Sequence, residues 1–263
     1  MRASELCPRC APATARIAIA LGMLLIGTAS PAIADTFVTD LPLEDGGSQR
    51  VLYAAPANPR AVLVMLPGGN GMVEIGDDGS IHRMGEGFLL RTLPLWQGQG
   101  LAVAVLSSPN GMSLLGYRHT PAYAVTIGQA VDFVRSRANV PVWLVGASQG
   151  STAAVGGGAR LGDKVAGIIL ISSVTGRSSS GETLFDSAPE LVTVPALIVA
   201  NTGDVCEASP PGDVPKIASA LAHASPMAVL HMQSEAMSPH SYFGIEAATV
   251  ERIAAWIYTA TSR

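Results

Sequence analysis

The chain of 263 residues carries 16 Lys and Arg against 20 Asp and Glu, a net charge of −4, with 48% hydrophobic residues, 14% charged residues and 28 glycines. Such a composition builds a packed core and excludes a disordered chain, and without any basic block a nucleic-acid partner is excluded as well. Mean hydropathy is +0.36, yet the longest apolar run, residues 17–29, falls short of the roughly 20 needed to cross a bilayer, which excludes an integral membrane protein.

In chain order, the first segment reads as an address. Arg2, Arg9 and Arg16 precede the run IAIALGMLLIGTA, and Ala32-Ile33-Ala34 offers a small-x-small cleavage site, so residues 1–34 are expected to be a signal peptide and the protein periplasmic or secreted. Cys7 and Cys10 would leave with this leader, which removes a C-x-x-C redox or zinc reading and leaves Cys206 as a lone thiol. Residues 35–263 are then one expected domain, whose net charge becomes −6 once Arg2, Glu5, Arg9 and Arg16 are gone.

Two runs near its start, residues 36–41 and 50–55, have polar neighbours and suit antiparallel edge strands. The runs at 61–66, 101–107, 140–147, 165–173 and 194–201 are continuously apolar, the pattern of strands buried on both faces of a parallel sheet. Helical spacing appears at 121–138, at 213–224 with Asp213 as N-cap, and at 246–260, with a further strand at 227–232. The predicted fold is a three-layer αβα sandwich around a mostly parallel sheet of about eight strands.

Gly146-Ala147-Ser148-Gln149-Gly150 matches G-x-S-x-G directly after a predicted strand and before a small-residue helix, the context in which such a serine is a nucleophile. A serine hydroxyl needs a base, and the base an orienting acid, in the chain order Ser, acid, His. Among the histidines after Ser148, His223 falls in a helix and His231 ends a strand, whereas His240 lies in a loop before the last helix and is the expected base. Asp204, in the turn Asn201-Thr-Gly-Asp, is the expected acid, with Glu207 and Asp213 in reserve; an ordinary Asx turn is the plain alternative. For the oxyanion hole the expected donors are the N–H of Gln149 and that of Gly69 in Leu66-Pro-Gly-Gly-Asn-Gly71, with Asn70 next in line. That glycine loop lacks the GK[ST] ending of a phosphate loop, and residues 76–80 lack the spaced ligands of a calcium loop and read as a hairpin turn. No cofactor and no metal is expected.

Taken together, LPGGNG, GASQG, NTGD and SPHSYFGIE resemble, in this order, the α/β-hydrolase superfamily over nearly all of residues 35–263, and more narrowly a group of secreted bacterial α/β-hydrolases of unassigned substrate. The resemblance implies Ser148 as nucleophile, Asp204 as acid and His240 as base. Ser234 stands where such relatives carry a second cysteine, so their possible disulfide to the position of Cys206 is absent, and Ser241 replaces the glycine after the histidine. Only about twenty residues separate Ser173 from Val194, too few for a helical cap domain. The pocket walls are therefore expected from residues 70–100 and 109–120, with Asn70, Met72, Leu114, Leu115, Tyr117 and Tyr242 as candidate lining and Arg118 and His119 as candidates for a substrate carboxylate. The expected activity is hydrolysis of small or medium carboxylic esters; an amidase or peptidase on the same residues, or a binding protein retaining the fold, are the alternatives.

Overall fold

The computed structural model describes residues 33–44, 46–177, 180–234 and 239–262. The signal-peptide reading therefore lies outside the described residues, except for Ile33 and Ala34, which open the first strand. In chain order the strands are β1 (Ile33–Pro42), β2 (Ser48–Pro56), β3 (Ala61–Leu66), β4 (Glu74–Ile75), β5 (Ile81–Arg83), β6 (Leu101–Leu106), β7 (Val142–Ala147), β8 (Gly167–Ile171), β9 (Ala196–Asn201) and β10 (Met227–Met232). The helices are α1 (Phe88–Arg91), α2 (Leu93–Gly98), α3 (Pro121–Arg137), α4 (Gly150–Leu161), α5 (Val214–Ala220) and α6 (Glu246–Thr261).

Eight strands form one sheet in the order β1-β2-β6-β3-β7-β8-β9-β10. The β1–β2 and β2–β6 pairs are antiparallel and all later pairs are parallel, so the two polar-flanked runs do form the antiparallel edge. The central strands are apolar throughout because each residue faces a helix layer on one side or the other. Along β3, Val62, Val64 and Leu66 join a core with Ile127 and Val131 of α3 and Ala153 to Val155 of α4. Ala61, Leu63 and Met65 join a second core with Phe88 of α1, Trp96 of α2 and Ile253 and Ile257 of α6. Each such Val or Leu contributes about 1.5–3 kcal/mol by leaving water.

The helix α3 starts where Pro121 fixes the first helical residue and the Thr120 hydroxyl accepts from the Tyr123 N–H at 3.2 Å. For α5 the expected cap fails: Asp213 makes no side-chain cap bond, and its carboxylate instead accepts from Thr175 Oγ1 at 2.8 Å and pairs with Lys216 at 2.6 Å. An ammonium and a hydroxyl at hand outcompete the weaker backbone donors. Residues 76–80 form the turn of the β4–β5 hairpin, closed by Gly76 N–H donating to Ser80 O at 2.8 Å. Between β8 and β9 the described residues hold only two short turns, Leu184–Ser187 and Pro189–Leu191, and no large cap. Among the described residues no helix is long and apolar enough to cross a membrane.

Candidate active site

The parallel strands all end on one edge of the sheet, and the turns leaving β3, β7, β8 and β9 meet there. Ser148 follows β7 immediately and sits at φ 53°, in the left-handed region that costs a non-glycine residue of order 1–3 kcal/mol. Its backbone is over-determined: its N–H donates to Ile171 O at 2.8 Å, and its carbonyl accepts from Ser151 Oγ at 2.7 Å. Ser151 Oγ in turn accepts from the Val174 N–H at 3.2 Å. The flanking glycines answer a close approach, since a Cβ on Gly150 would overlap the carbonyl oxygen of Leu66 and one on Gly146 that of Gly150. The helix α4 begins at Gly150, so its positive end lies beside the serine.

Asp204 lies past β9 in a turn tied to the end of β10. Asn201 Oδ1 accepts from the N–H groups of Gly203 and Ser234, and Thr202 N–H donates to Met232 O. Asp204 also makes the Asx turn that was its plain alternative, but with one oxygen only: Oδ1 accepts from Cys206 N–H at 2.9 Å, while Oδ2 lies 2.7 Å from His240 Nδ1. Burial opposes ionisation of this carboxyl, yet the hydrogen bonds from His240, Cys206 and Ser172 outweigh it and hold its pKa below the ordinary value. The Asp204 side chain is 1% exposed, whereas that of His240 is 31% exposed and open to the cavity above Ser148.

The loop carrying His240 is braced from two sides. Ser234, where the resemblance implied a cysteine, donates its hydroxyl to Phe243 O at 2.6 Å, and Arg91 donates to Ser241 O while pairing with Glu246 at 3.0 Å and stacking over Phe243. Hydrogen bonds and an ion pair thus tie the loop, and Cys206 remains a free thiol.

Ser148, His240, Ser172 and Gly69 line one cavity of about 170 Å³, walled by Met84, Phe88, Leu90 and Ile171. His240 is the single titratable side chain lining it among the described residues. Gly68 lies against the serine, for a Cβ there would stand 2.9 Å from Ser148 Cβ. Gln149 follows the serine and is buried, its amide donating to Ser180 Oγ at 2.8 Å.

The other lining candidates lie elsewhere. Tyr242 is fully buried, its ring 5.0 Å from that of Phe88, with the Ser172 hydroxyl and the Val199 carbonyl both 3.2 Å from its own; burial raises its pKa and keeps it protonated. It stands behind the cavity wall because its hydroxyl finds partners inward. Met72 lines a separate cleft beside Arg50 and Asn110. Asn70 closes its own turn by accepting from Met72 N–H at 3.1 Å, and Leu115 is 40% exposed. Tyr117 packs on Tyr123, and Leu114 is buried. Arg118 and His119 do not meet a substrate carboxylate in this cavity: Arg118 is buried against the carbonyls of Pro67 and Gly68, and His119 pairs with the buried Glu182 at 2.8 Å. Residues 70–100 do supply the wall, through Met84 and α1, but residues 109–120 do not. The wall residues Met84, Phe88 and Leu90 went unread because α1 is a four-residue helix, too short for a periodic pattern.

No protein-family profile and no curated protein sequence matches the chain. Its structure does have counterparts. The α/β hydrolase GrgF from Penicillium sp. sh18 superimposes with a TM-score of 0.65 at 13% identity, over 87% of this chain and 100% of that one. The esterase Pf2001 of Pyrococcus furiosus gives 0.62 at 8% identity, over 86% and 92%. XC6422 from Xanthomonas campestris, described as an α/β serine hydrolase without lid, gives 0.58 at 13% identity, over 88% and 95%. The chain has the α/β-hydrolase fold, and its described residues hold no large cap.

Proposed function

We propose that this protein is a serine hydrolase that cleaves carboxylic esters through an acyl-enzyme on Ser148. The observation that supports it most is that one cavity is lined both by a serine in left-handed backbone and by an imidazole whose Nδ1 meets a buried, ionised carboxylate at 2.7 Å. In the neutral imidazole tautomer that donates Nδ1–H to Asp204, Nε2 carries the lone pair that takes the Ser148 proton as Oγ attacks the ester carbonyl. Negative charge gathers on the former carbonyl oxygen, where the N–H groups of Gly69 and Gln149 and the start of α4 are the stabilising donors. When the tetrahedral intermediate collapses, the C–O bond to the alcohol breaks and His240 returns the proton to it. Water then attacks the acyl-enzyme by the same steps in reverse, freeing the acid and Ser148.

The cavity favours neutral acyl chains. Its walls are apolar, and a carboxylate or ammonium placed among them would lose hydration without an ionic partner. A fluorophosphonate probe is expected to label the wild type at Ser148, and Ser148→Ala to abolish labelling and lower kcat on p-nitrophenyl esters by about 10⁴-fold or more. A folded wild type that resists the probe overturns the reading. A panel of p-nitrophenyl esters of graded chain length, with matched amides, tests the acyl size and the preference for esters.

A further inference from the structure

The loop Pro67–Gly71 must hold a backbone N–H in a fixed direction, yet three of its five residues are glycine, the residue least able to fix its own backbone. What fixes it is a side chain 50 residues away. Arg118 is 1% exposed, and its Nη2 donates at 3.1 Å both to Pro67 O and to Gly68 O. Gly68 O also accepts from Gly71 N–H at 3.2 Å. Nη1 of the same guanidinium is buried with no hydrogen-bond partner. For packing alone this is a poor arrangement, because an apolar side chain of similar volume avoids burying a charge with an idle donor.

The peptide bonds 67–68 and 68–69 are trans, the described cis bond being Ser225–Pro226. In a trans peptide the N–H points opposite to the carbonyl that precedes it. With both carbonyls drawn to Arg118, the N–H groups of Gly68 and Gly69 face the other way, and neither donates to a protein group among the described residues. The two sides of the loop are distinct: a Cβ on Gly71 would come within 2.8 Å of Arg118 Nη2, while one on Gly68 would come within 3.5 Å of Ser148 Oγ. Gly68 and Gly69 also line the cavity with Ser148. A cation at the carbonyl ends further polarises both peptides in the sense that strengthens their N–H groups as donors.

We infer that Arg118 is a positioning residue for ester hydrolysis, which turns the carbonyls of Pro67 and Gly68 away from Ser148 and so aims the Gly69 N–H at the oxyanion. This inference rests on the proposed acyl-enzyme chemistry and adds to it the group that orients its second oxyanion donor. It acts in the transition state more than in substrate binding, and that separates it from a purely structural role.

The test compares wild type, Arg118→Lys and Arg118→Met by thermal melting, by kcat and KM on p-nitrophenyl butyrate, and by inhibition with an alkyl trifluoromethyl ketone and the matching methyl ketone. Loss of one oriented oxyanion donor lowers kcat by about 10²–10³-fold, so Arg118→Met is expected to fall in that range with KM changed less than about threefold. Affinity for the trifluoromethyl ketone, which forms the tetrahedral oxyanion, should weaken in step with kcat/KM while the methyl ketone binds as before. Arg118→Lys keeps the charge but not the two-carbonyl reach and should fall between. A folded Arg118→Met with unchanged kcat, a loss confined to KM, or equal weakening of both ketones overturns the inference. So does failure of both variants to fold, which would mark the residue as structural. Fluorophosphonate labelling of wild-type Ser148 in the same experiment keeps the two readings apart: a labelled wild type with an indifferent Arg118 defeats only the inference, and an unlabelled one defeats the proposed chemistry itself.

Discussion

At Asp204 the two carboxylate oxygens have separate tasks. Oδ1 holds its own turn through Cys206 N–H, and Oδ2 meets His240 Nδ1. An asparagine can keep the first bond, with its amide oxygen on Cys206 N–H, but it then presents an NH₂ donor to the imidazole. The histidine responds by carrying its proton on Nε2, where it cannot accept one from Ser148. Asp204→Asn is therefore expected to lower kcat by about 10⁴-fold in a chain that still folds, with only a modest drop in melting temperature from losing the ionised carboxylate. Steady-state kinetics beside a melting curve check both halves; an active Asp204→Asn would remove Asp204 from the proposed mechanism. The sequence reading set Asp204 and His240 on loops that each follow a strand end, and the structure brings these two side chains together. It could not assign one oxygen to each partner, which depends on how the β9 turn and the 239–245 loop dock.

The element that governs the site is the β7–α4 corner. Its motif was legible because the spacing of Gly146, Ser148 and Gly150 is local, and the structure gives the reason for the glycines in backbone atoms of β3 and α4. Gly150→Ala forces a Cβ onto the carbonyl of Leu66, so the start of α4 must lift off the sheet. The expected cost is about 3 kcal/mol or more, the upper end for overpacking, because the obstacle is backbone that cannot rotate away. Urea unfolding at pH 7 reads it as a lower midpoint, and a midpoint equal to wild type would contradict the tight corner. By contrast, the cap assigned to Asp213 was a reading of local propensity, and it was displaced by Lys216 three residues on together with a distant partner, Thr175, which lies 38 residues earlier in the chain.

For the whole molecule, buried and paired ionisable groups set a pH window. Asp204 is held below the ordinary carboxyl value of 3.8 against its own burial, and Asp213 is held below it by Lys216 and Thr175. Both bind a proton more readily when unfolded, so their contribution is present above about pH 4 and is lost as pH falls through their folded values. On the alkaline side, burial raises the Tyr123 phenol from 10.0 to about 12, so stability present below pH 10 declines above it as the unfolded chain ionises. The urea midpoint is expected to be flat near neutrality, to fall below about pH 4 and above about pH 10, and to lose part of the alkaline decline in Tyr123→Phe. A midpoint insensitive to pH from 3 to 11 would refute it.

The sequence by itself determined the layers of this protein. Continuous apolar runs demand cover on both faces, helical stripes supply it, and a glycine-flanked serine at a strand end marks one edge of the sheet, all of which depend on neighbours within a few residues. Only the tertiary structure decided which side chains reach that edge. Tyr242 turned inward to Ser172 and Val199, Met72 went to another cleft, a four-residue helix supplied the apolar wall, and Arg118, which had suggested a substrate contact, lies behind the glycine loop. The reason is physical: a side chain goes where its polar atoms find partners and its apolar atoms leave water, and those partners come from strands whose order in the sheet is not their order in the chain.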